Sequence, residues 1–214
     1  MIYSAMGFKR SASRFFSSTF LLSAAGALSL AADRTITHEE YAVYSAALAN
    51  IWLSHADTGE ALAILRDTID PHELPVPTQG CSSLPVEFRR RVQDVLATDR
   101  VSSAADRKTL KNNKLVIGRR YILLTPQQAD VWRQQRFNPK MRTDPPAPKL
   151  ADPFAGTSDL IQISGVLFNA KKSVALVYLS ATCGLLCMSS QWYLLEKIKG
   201  VWRVLPTPAC GRIS

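Results

Sequence analysis

Two cysteines four residues apart, Cys183 and Cys187, stand between two strand-like runs in the stretch ATCGLLCMSS, residues 181–190. Sulfur at that spacing admits three chemistries. A thioredoxin-like dithiol needs two intervening residues where a strand meets a helix N-terminus that lowers the thiol pKa. Here three residues intervene, Gly184, Leu185 and Leu186, and both flanks read as strands. A zinc site needs about four ligands, a number that Cys81 and Cys210 would complete. A disulfide that closes the turn needs only Cα atoms within about 4.4–6.8 Å, and Gly184 lets the backbone tighten that far. The staple fits best; pairing with the other two cysteines, and a metal or redox role, stay open. If Cys183 and Cys187 pair, Cys81 and Cys210 are the natural second pair, tying an early loop to the end of the chain. Leu185, Leu186 and Met188 beside the turn, with Trp192 further on, form a candidate contact surface.

Other residue types offer less. His38, His55 and His72 include no pair at i and i+4, the spacing that puts two imidazoles on one helical face, although Asp57 and Glu73 stand near the latter two. Solvated histidines are the expectation, with no metal and no cofactor. No G-x-S-x-G elbow surrounds a serine, and the adjacency of Ser54 and His55 says nothing about a triad in space. Two of the 17 acidic residues could converge for hydrolysis. Neither G-x-G-x-x-G nor G-x-x-x-x-G-K occurs, so no glycine loop cradles a phosphate. Trp192, Tyr193 and Trp202 would stack on sugars or peptides if exposed, but a packed cross-strand cluster is the expectation.

These residues must be placed by a chain of 214 residues, 47% hydrophobic and 20% charged, which suits one globular domain. Residues 1–32 stand apart. Lys9, Arg10 and Arg14 come without an acid, and the apolar, small-residue run 15–32 follows, closed by Ser29-Leu30-Ala31 and then by Asp33 and Arg34. That is the layout of a secretory signal peptide. The alternative is a membrane anchor over 15–32, but Ser17, Ser18, Thr19, Ser23 and Gly26 interrupt a run that would need about 20 apolar residues. The expectation is an exported chain, periplasmic or extracellular, with no integral span after cleavage. Export makes disulfides the default state of its four cysteines. Without the leader's three cations the net charge falls from +9 to +6. Basic residues cluster around Arg89–Arg91, in DRKTLKNNK and in IGRRY. In an exported chain that favours anionic envelope polymers or headgroups over nucleic acid.

Thr37 three residues before Glu40 has capping-box spacing, and Tyr41, Tyr44, Leu48 and Ile51 follow at helical intervals, predicting a helix over 37–53. Residues 61–68 read as a strand. Pro71, Pro75, Pro77 and Gly80 make a loop that carries Cys81. Phe88, Val92, Val95 and Leu96 predict an amphipathic helix over 85–97. A strand is expected over 115–124. Thr125-Pro126-Gln127-Gln128 then starts a helix that ends near 135. Residues 136–158, rich in proline, read as a long connecting loop. Runs at 160–168, 173–180, 191–198 and 201–205 read as strands, and their short spacers predict a four-stranded antiparallel meander. In the second of them Val174, Leu176 and Tyr178 alternate with Ala175, Val177 and Leu179, so both faces should be covered.

The C-terminal stretch GVLFNAKKSVALVYLSATCGLLC, the later WYLLEKIKGVWRV and the final IS resemble a group of uncharacterised exported bacterial proteins. Upstream, Glu40-Tyr41-Ala42-Val43-Tyr44 and Leu123-Leu124-Thr125 are similar to that group as well. The chain departs from the pattern at Met188, where glycine is expected, and at Gly211-Arg212, where a tryptophan precedes Ile213-Ser214. The resemblance implies a compartment and an architecture, and carries no reaction. The expectation is therefore a single α+β domain over 33–214, with N-terminal helices packed on a mainly antiparallel C-terminal sheet. Its function should be that of a non-catalytic cell-envelope or secreted module that binds a protein or an envelope polymer. The alternative is a small periplasmic hydrolase of an unrecognised type.

Overall fold

The computed structural model describes residues 35–54, 60–77, 84–99, 107–137, 154–184, 187–206 and 212–213. The leader, His55, Cys81, Leu185, Leu186, Cys210 and most of the proline-rich loop lie outside them. Helix α1 (His38–Ser54) starts with the reciprocal bonds that its sequence announces. The Thr37 amide donates to Glu40 Oε2 at 2.8 Å, and the Glu40 amide donates to Thr37 Oγ1 at 3.2 Å. The helix buries Val43, Tyr44, Ala47 and Leu48 together with Tyr41 and Ile51, a wider apolar girth than a one-sided surface helix needs. Its two neighbours explain that girth. One side packs on the sheet; the other carries residues 111–116, whose Lys111 amide donates to the Tyr41 hydroxyl at 2.8 Å and whose Val116 amide donates to Ser45 Oγ at 2.9 Å.

Among the described residues eight strands form one sheet: β1 (Ala61–Leu65), β2 (Tyr121–Leu124), β3 (Thr157–Ile163), β4 (Leu167–Phe168), β5 (Val174–Gly184), β6 (Cys187–Ile198), β7 (Val201–Val204) and β8 (Arg212–Ile213). Their order is β2-β1-β3-β5-β6-β7, with β4 on β5 and β8 on β6. β1 runs parallel to both β2 and β3, and every pairing beyond β3 is antiparallel. The α+β class holds. The four-stranded antiparallel meander does not describe the whole sheet, because it is the C-terminal part of a larger mixed one. The connections give the reason. Helix α2 (Val86–Asp99) lies between β1 and β2 in the chain, and helix α3 (Pro126–Phe137) between β2 and β3, so those strands return in the same direction. Lys199 and Gly200 turn the chain from β6 into β7, which run antiparallel.

Three expected elements change length. The strand expected over 115–124 keeps only its last four residues, because the Lys111, Leu115 and Val116 amides bond to side chains of Tyr41, Tyr121 and Ser45 and Gly118 takes φ +71. The run at 160–168 breaks at Ser164, whose hydroxyl donates to Gly165 O and accepts from the Tyr178 amide, turning the chain between β3 and β4. The connecting loop is shorter than 136–158, since α3 continues to Phe137 and β3 begins at Thr157.

Both sheet faces are covered, as the alternation in β5 requires. Leu62, Ile64, Ile161, Ile163, Val177, Leu179, Tyr193 and Leu195 face α1. On the other face, Phe88, Val92 and Val95 of α2 meet Leu176, Leu194 and Trp192, while Ala129 and Trp132 of α3 meet Ala63, Leu124 and Leu160. Each fully buried side chain of this size contributes about 1.5–3 kcal/mol. Indole N–H groups in these clusters are bonded: Trp132 Nε1 donates to Thr157 Oγ1 at 2.9 Å, and Trp192 Nε1 donates to Pro75 O at 2.8 Å. Asn169 locks α2 to the β4–β5 turn. Its Oδ1 accepts from the Ser173 and Val174 amides, and its Nδ2 donates to Asp94 Oδ2 at 3.0 Å.

The first turn of α1 is also held to the far strands. Glu39 Oε1 accepts from Lys197 Nζ at 2.6 Å and from Trp202 Nε1 at 2.7 Å. The Lys197 bond, opposed by partial burial and helped by the Trp202 bond, holds the Glu39 carboxyl below its ordinary range. An acid whose folded pKa is depressed stabilises the fold above its unfolded pKa, and that stability is lost as the pH falls through the folded value. We expect Glu39→Gln to lower the urea midpoint at pH 7, with the difference from the native chain shrinking as the pH falls below about 4. Equal differences at pH 7 and at pH 3 would contradict this account of the contact.

Candidate functional site

The cysteine stretch lies where strand positions and covalent bonding coincide. β5 and β6 pair from Val174 opposite Glu196 to Gly184 opposite Cys187, and Cys183 and Cys187 are joined by a disulfide with Cα atoms 5.2 Å apart. Nucleophilic attack and metal ligation both use the thiolate, and here both sulfurs are bonded to each other. Cys81 and Cys210 lie outside the described residues, as do Leu185 and Leu186 of the candidate contact surface. Its other two members part company. Met188 is 45% exposed, whereas Trp192 is 9% exposed and points into the α2 cluster, where its N–H is bonded and its ring meets Tyr178 edge-on. Tyr193 and Trp202 are likewise buried, on the α1 face. Among the described residues no group of three or more His, Cys, Asp or Glu side chains is placed to hold a metal ion.

Polar side chains converge elsewhere, at the carboxyl ends of β1 and β2. The chain leaving β1 zips against residues 107–110. The Thr68 amide donates to Lys108 O at 2.9 Å, the Lys108 amide donates to Thr68 Oγ1 at 2.8 Å, and the Leu110 amide donates to Arg66 O at 2.8 Å. The Arg66 amide closes the corner on Leu124 O, the last residue of β2. Between these segments and the start of α3 opens a cleft of about 420 Å³. Leu65, Ile69 and Pro126 give it apolar walls; Asp67, Thr68, Arg107, Lys108 and Thr109 give it polar groups. In sheets with parallel strands the crevice beyond the strand carboxyl ends is the usual ligand position, and the volume falls in the range of small-molecule sites.

Each polar group has a defined state. Asp67 Oδ1 accepts from Thr109 Oγ1 at 2.9 Å, and among the described residues its Oδ2 has no bonded partner. Lys108 Nζ is held at 2.5 Å by Glu40 Oε1, a carboxylate with 5% side-chain exposure. Arg107 is exposed and, among the described residues, pairs with Glu73 at 3.2 Å, in a pair so solvated that it holds the guanidinium loosely. The amide ends of α3 are already engaged: Thr125 Oγ1 accepts from the Gln128 amide at 3.3 Å, and Gln128 Oε1 accepts from the Thr125 amide at 2.9 Å. The cleft therefore offers one loosely held cation, one carboxylate oxygen without a bonded partner among the described residues, and an apolar wall.

From Arg107 the chain runs on to Arg120 through Lys108, Lys111, Lys114 and Arg119, six cations with no acid between them. Lys111, Lys114 and Arg120 are exposed and have no ion-pair partner among the described residues. This basic strap crosses the outer side of α1 and borders a second groove of about 340 Å³ that includes Ile36, His38, Tyr41, Lys114 and Val116. His72 is exposed in the 3₁₀ turn Pro71–Glu73. The strap's charge is readable in the sequence. The cleft was not read from it, although one signal pointed there: strand, helix, strand, helix, strand over 61–163 is the pattern of parallel strands whose carboxyl ends gather loops. Comparison with protein-family models, with curated proteins and with solved structures finds no match for this chain.

Closing a five-residue loop with a disulfide restricts the unfolded chain by about 2 kcal/mol at 25 °C. We expect the double change Cys183→Ser, Cys187→Ser to lower unfolding stability by that order, with the far-ultraviolet spectrum unchanged. Adding a reductant to the native chain should reproduce the part of the shift due to this bond, and adding it to the double variant should leave that part absent. A double variant as stable as the native chain would show that the bond holds nothing the β5–β6 ladder does not hold already.

Proposed function

We propose that this chain is an exported, non-catalytic binding module that holds an acidic polymer of the cell envelope along its basic strap. The observation that carries this reading is the run from Arg107 to Arg120, which holds six cations and no acid and in which the Lys111 and Val116 amides are bonded to α1, leaving Lys111, Lys114 and Arg120 exposed. Backbone bonds to Tyr41 and Ser45 hold the strap in place, so its charges are presented on a rigid support rather than on a floppy tail. Preorganised charge of one sign attracts a polyanion and speeds its capture. The disulfide at the β5–β6 tip suits an oxidising compartment. Among the described residues no helix is long and apolar enough to cross a membrane. Paired-carboxylate hydrolysis needs two acids flanking the bond to be cut, and among the described residues the cleft lining holds one, Asp67. That supports binding over hydrolysis.

The test uses the full chain and poly-L-glutamate as the probe. Binding should weaken steeply as salt is raised, because exposed charges are screened beyond about 10 Å at 0.1 M. Lys111→Gln, Lys114→Gln and Arg120→Gln together should weaken binding by about tenfold or more, taking about 0.5 kcal/mol for each exposed charge contact. Arg89→Gln with Arg90→Gln, on the exposed side of α2, should change it little. Binding that ignores salt, or that responds equally to both sets, would overturn the reading.

A further inference from the structure

The cleft at the ends of β1 and β2 has a composition that the strap's reading does not use. A site for a polyanion needs cations alone. This one sets the exposed guanidinium of Arg107 and the unengaged Oδ2 of Asp67 around a single space, with Leu65, Ile69 and Pro126 as its apolar wall. The second cation, Lys108, is drawn back by Glu40. The geometry points to a small zwitterion as the ligand, a molecule that carries an ammonium and a carboxylate on one short frame with a small apolar side chain: a free amino acid or a short peptide with both ends free. Asp67 Oδ2 takes the ammonium, Arg107 takes the carboxylate, and the apolar side chain lies on Leu65, Ile69 and Pro126.

Charge and support both argue for this assignment. Asp67 is fixed by Thr109, whose hydroxyl occupies Oδ1 and leaves Oδ2 directed by the same bond. The Asp67 and Thr109 backbones are bridged as an antiparallel pair, so the carboxylate stands on paired backbone and not on a free loop. Arg107 is one residue from Lys108, whose backbone is bonded on both sides to Thr68. Its loose pair with Glu73 leaves it able to exchange an exposed partner for a ligand carboxylate held in a cleft, and Arg matches that planar group with two parallel bonds. A ligand with only one charge would use only one of the two groups, Asp67 Oδ2 or the Arg107 guanidinium, that line the same space. The inference concerns the cleft lining and stands apart from the polymer reading, since Lys111, Lys114 and Arg120 do not line the cleft.

The experiment is binding of alanyl-alanine to the full chain at millimolar concentration, read by calorimetry and by amide chemical shifts of Thr68, Ile69 and Thr109. Alanyl-alanine or free alanine should bind, and the tighter of the two identifies whether peptide or amino acid is the source. N-acetyl-alanyl-alanine should lose the Asp67 contact and alanyl-alanine amide the Arg107 contact, each weakening binding by about tenfold, as befits one charge-assisted bond. Asp67→Asn keeps the oxygen that Thr109 needs and removes the charge. It should weaken the free peptide about tenfold and leave the acetylated one unchanged. Arg107→Gln should do the converse for the amide. The triple change Lys111→Gln, Lys114→Gln, Arg120→Gln should leave peptide binding intact even where it abolishes poly-L-glutamate binding. Absence of binding by both alanine and alanyl-alanine would overturn the inference. So would equal binding of free and capped peptides, or an Asp67→Asn variant, folded by its thermal transition, that binds the free peptide as the native chain does.

Discussion

A buried carboxylate at the start of α1 sets the geometry on which both candidate surfaces depend. Glu40 is 4% exposed, and a charge so placed is tolerated only when its oxygens are bonded. Oε2 accepts from the amide and the hydroxyl of Thr37, and Oε1 accepts from Lys108 Nζ at 2.5 Å. The pair therefore joins the first turn of α1 to residue 108, and the backbone of residue 108 is bonded to Thr68 beyond β1. This contact joins helix, strap and strand exit, beside the Tyr41 and Ser45 bonds that also hold the strap to α1. A buried ion pair is weak as a stabiliser, since apolar residues of the same volume often do as well. Its value here is positional: an apolar pair would fill the space without specifying that Arg107 faces the cleft and Lys111 faces outward.

Tyr44 shows what that buried charge does to its surroundings. Its hydroxyl is fully buried and has no hydrogen-bond partner among the described residues. Burial is the largest influence, and the Glu40 charge adds to it, so the phenol stays protonated well above its ordinary range. An unbonded buried hydroxyl costs about 1–3 kcal/mol. Phenylalanine would avoid that cost, so the stability of the core alone does not account for tyrosine at this position. The neighbouring ring, Tyr41, stands edge-on to it and spends its own hydroxyl on the Lys111 amide. Two tyrosines one helical turn apart thus have opposite polar fates, and the bonded one holds the strap.

Local signals in the sequence were enough for the helices. The Thr37–Glu40 and Thr125–Gln128 spacings mark two helix starts to within a residue, because a capping box is a contact between near neighbours in the chain. The Cys183–Cys187 staple was legible for the same reason. Strand direction was not. Whether β3 lies beside β1 or only beside β5 depends on pairing across some hundred residues, and Leu160 and Ile161 look equally apolar in either case. The strap shows a further limit. Residues 115–120 have strand-like composition, yet the Leu115 amide bonds to the Tyr121 hydroxyl and the Val116 amide to Ser45 of α1, 71 residues away, a partner that no local pattern reports. Cys81, Cys210, Leu185 and Leu186 lie outside the described residues, so the second pairing and half of the expected contact surface stay with the sequence reading.

The most regular part of the sequence and the part of the structure where polar side chains gather are different regions, for a physical reason. β5 and β6 are apolar on both faces from Val174 to Leu179 and from Trp192 to Leu195, and helices or strap-backed packing cover both. Regularity there reflects packing, and a packed face has no room for a ligand. The parallel half differs because its strands end together. β1 and β2 run in register from Leu62 opposite Tyr121 to Leu65 opposite Leu124, so their carboxyl ends release the chain at one edge, where polar residues become affordable. Arg66, Asp67 and Thr68 follow one strand and Thr125 follows the other. A parallel pair thus concentrates polar side chains at one end without any motif in the sequence. The same argument explains why the cysteine turn, the one place in the chain that reads as reactive, is occupied by a covalent bond, while the groups left with unfilled bonding capacity stand at the other half of the sheet.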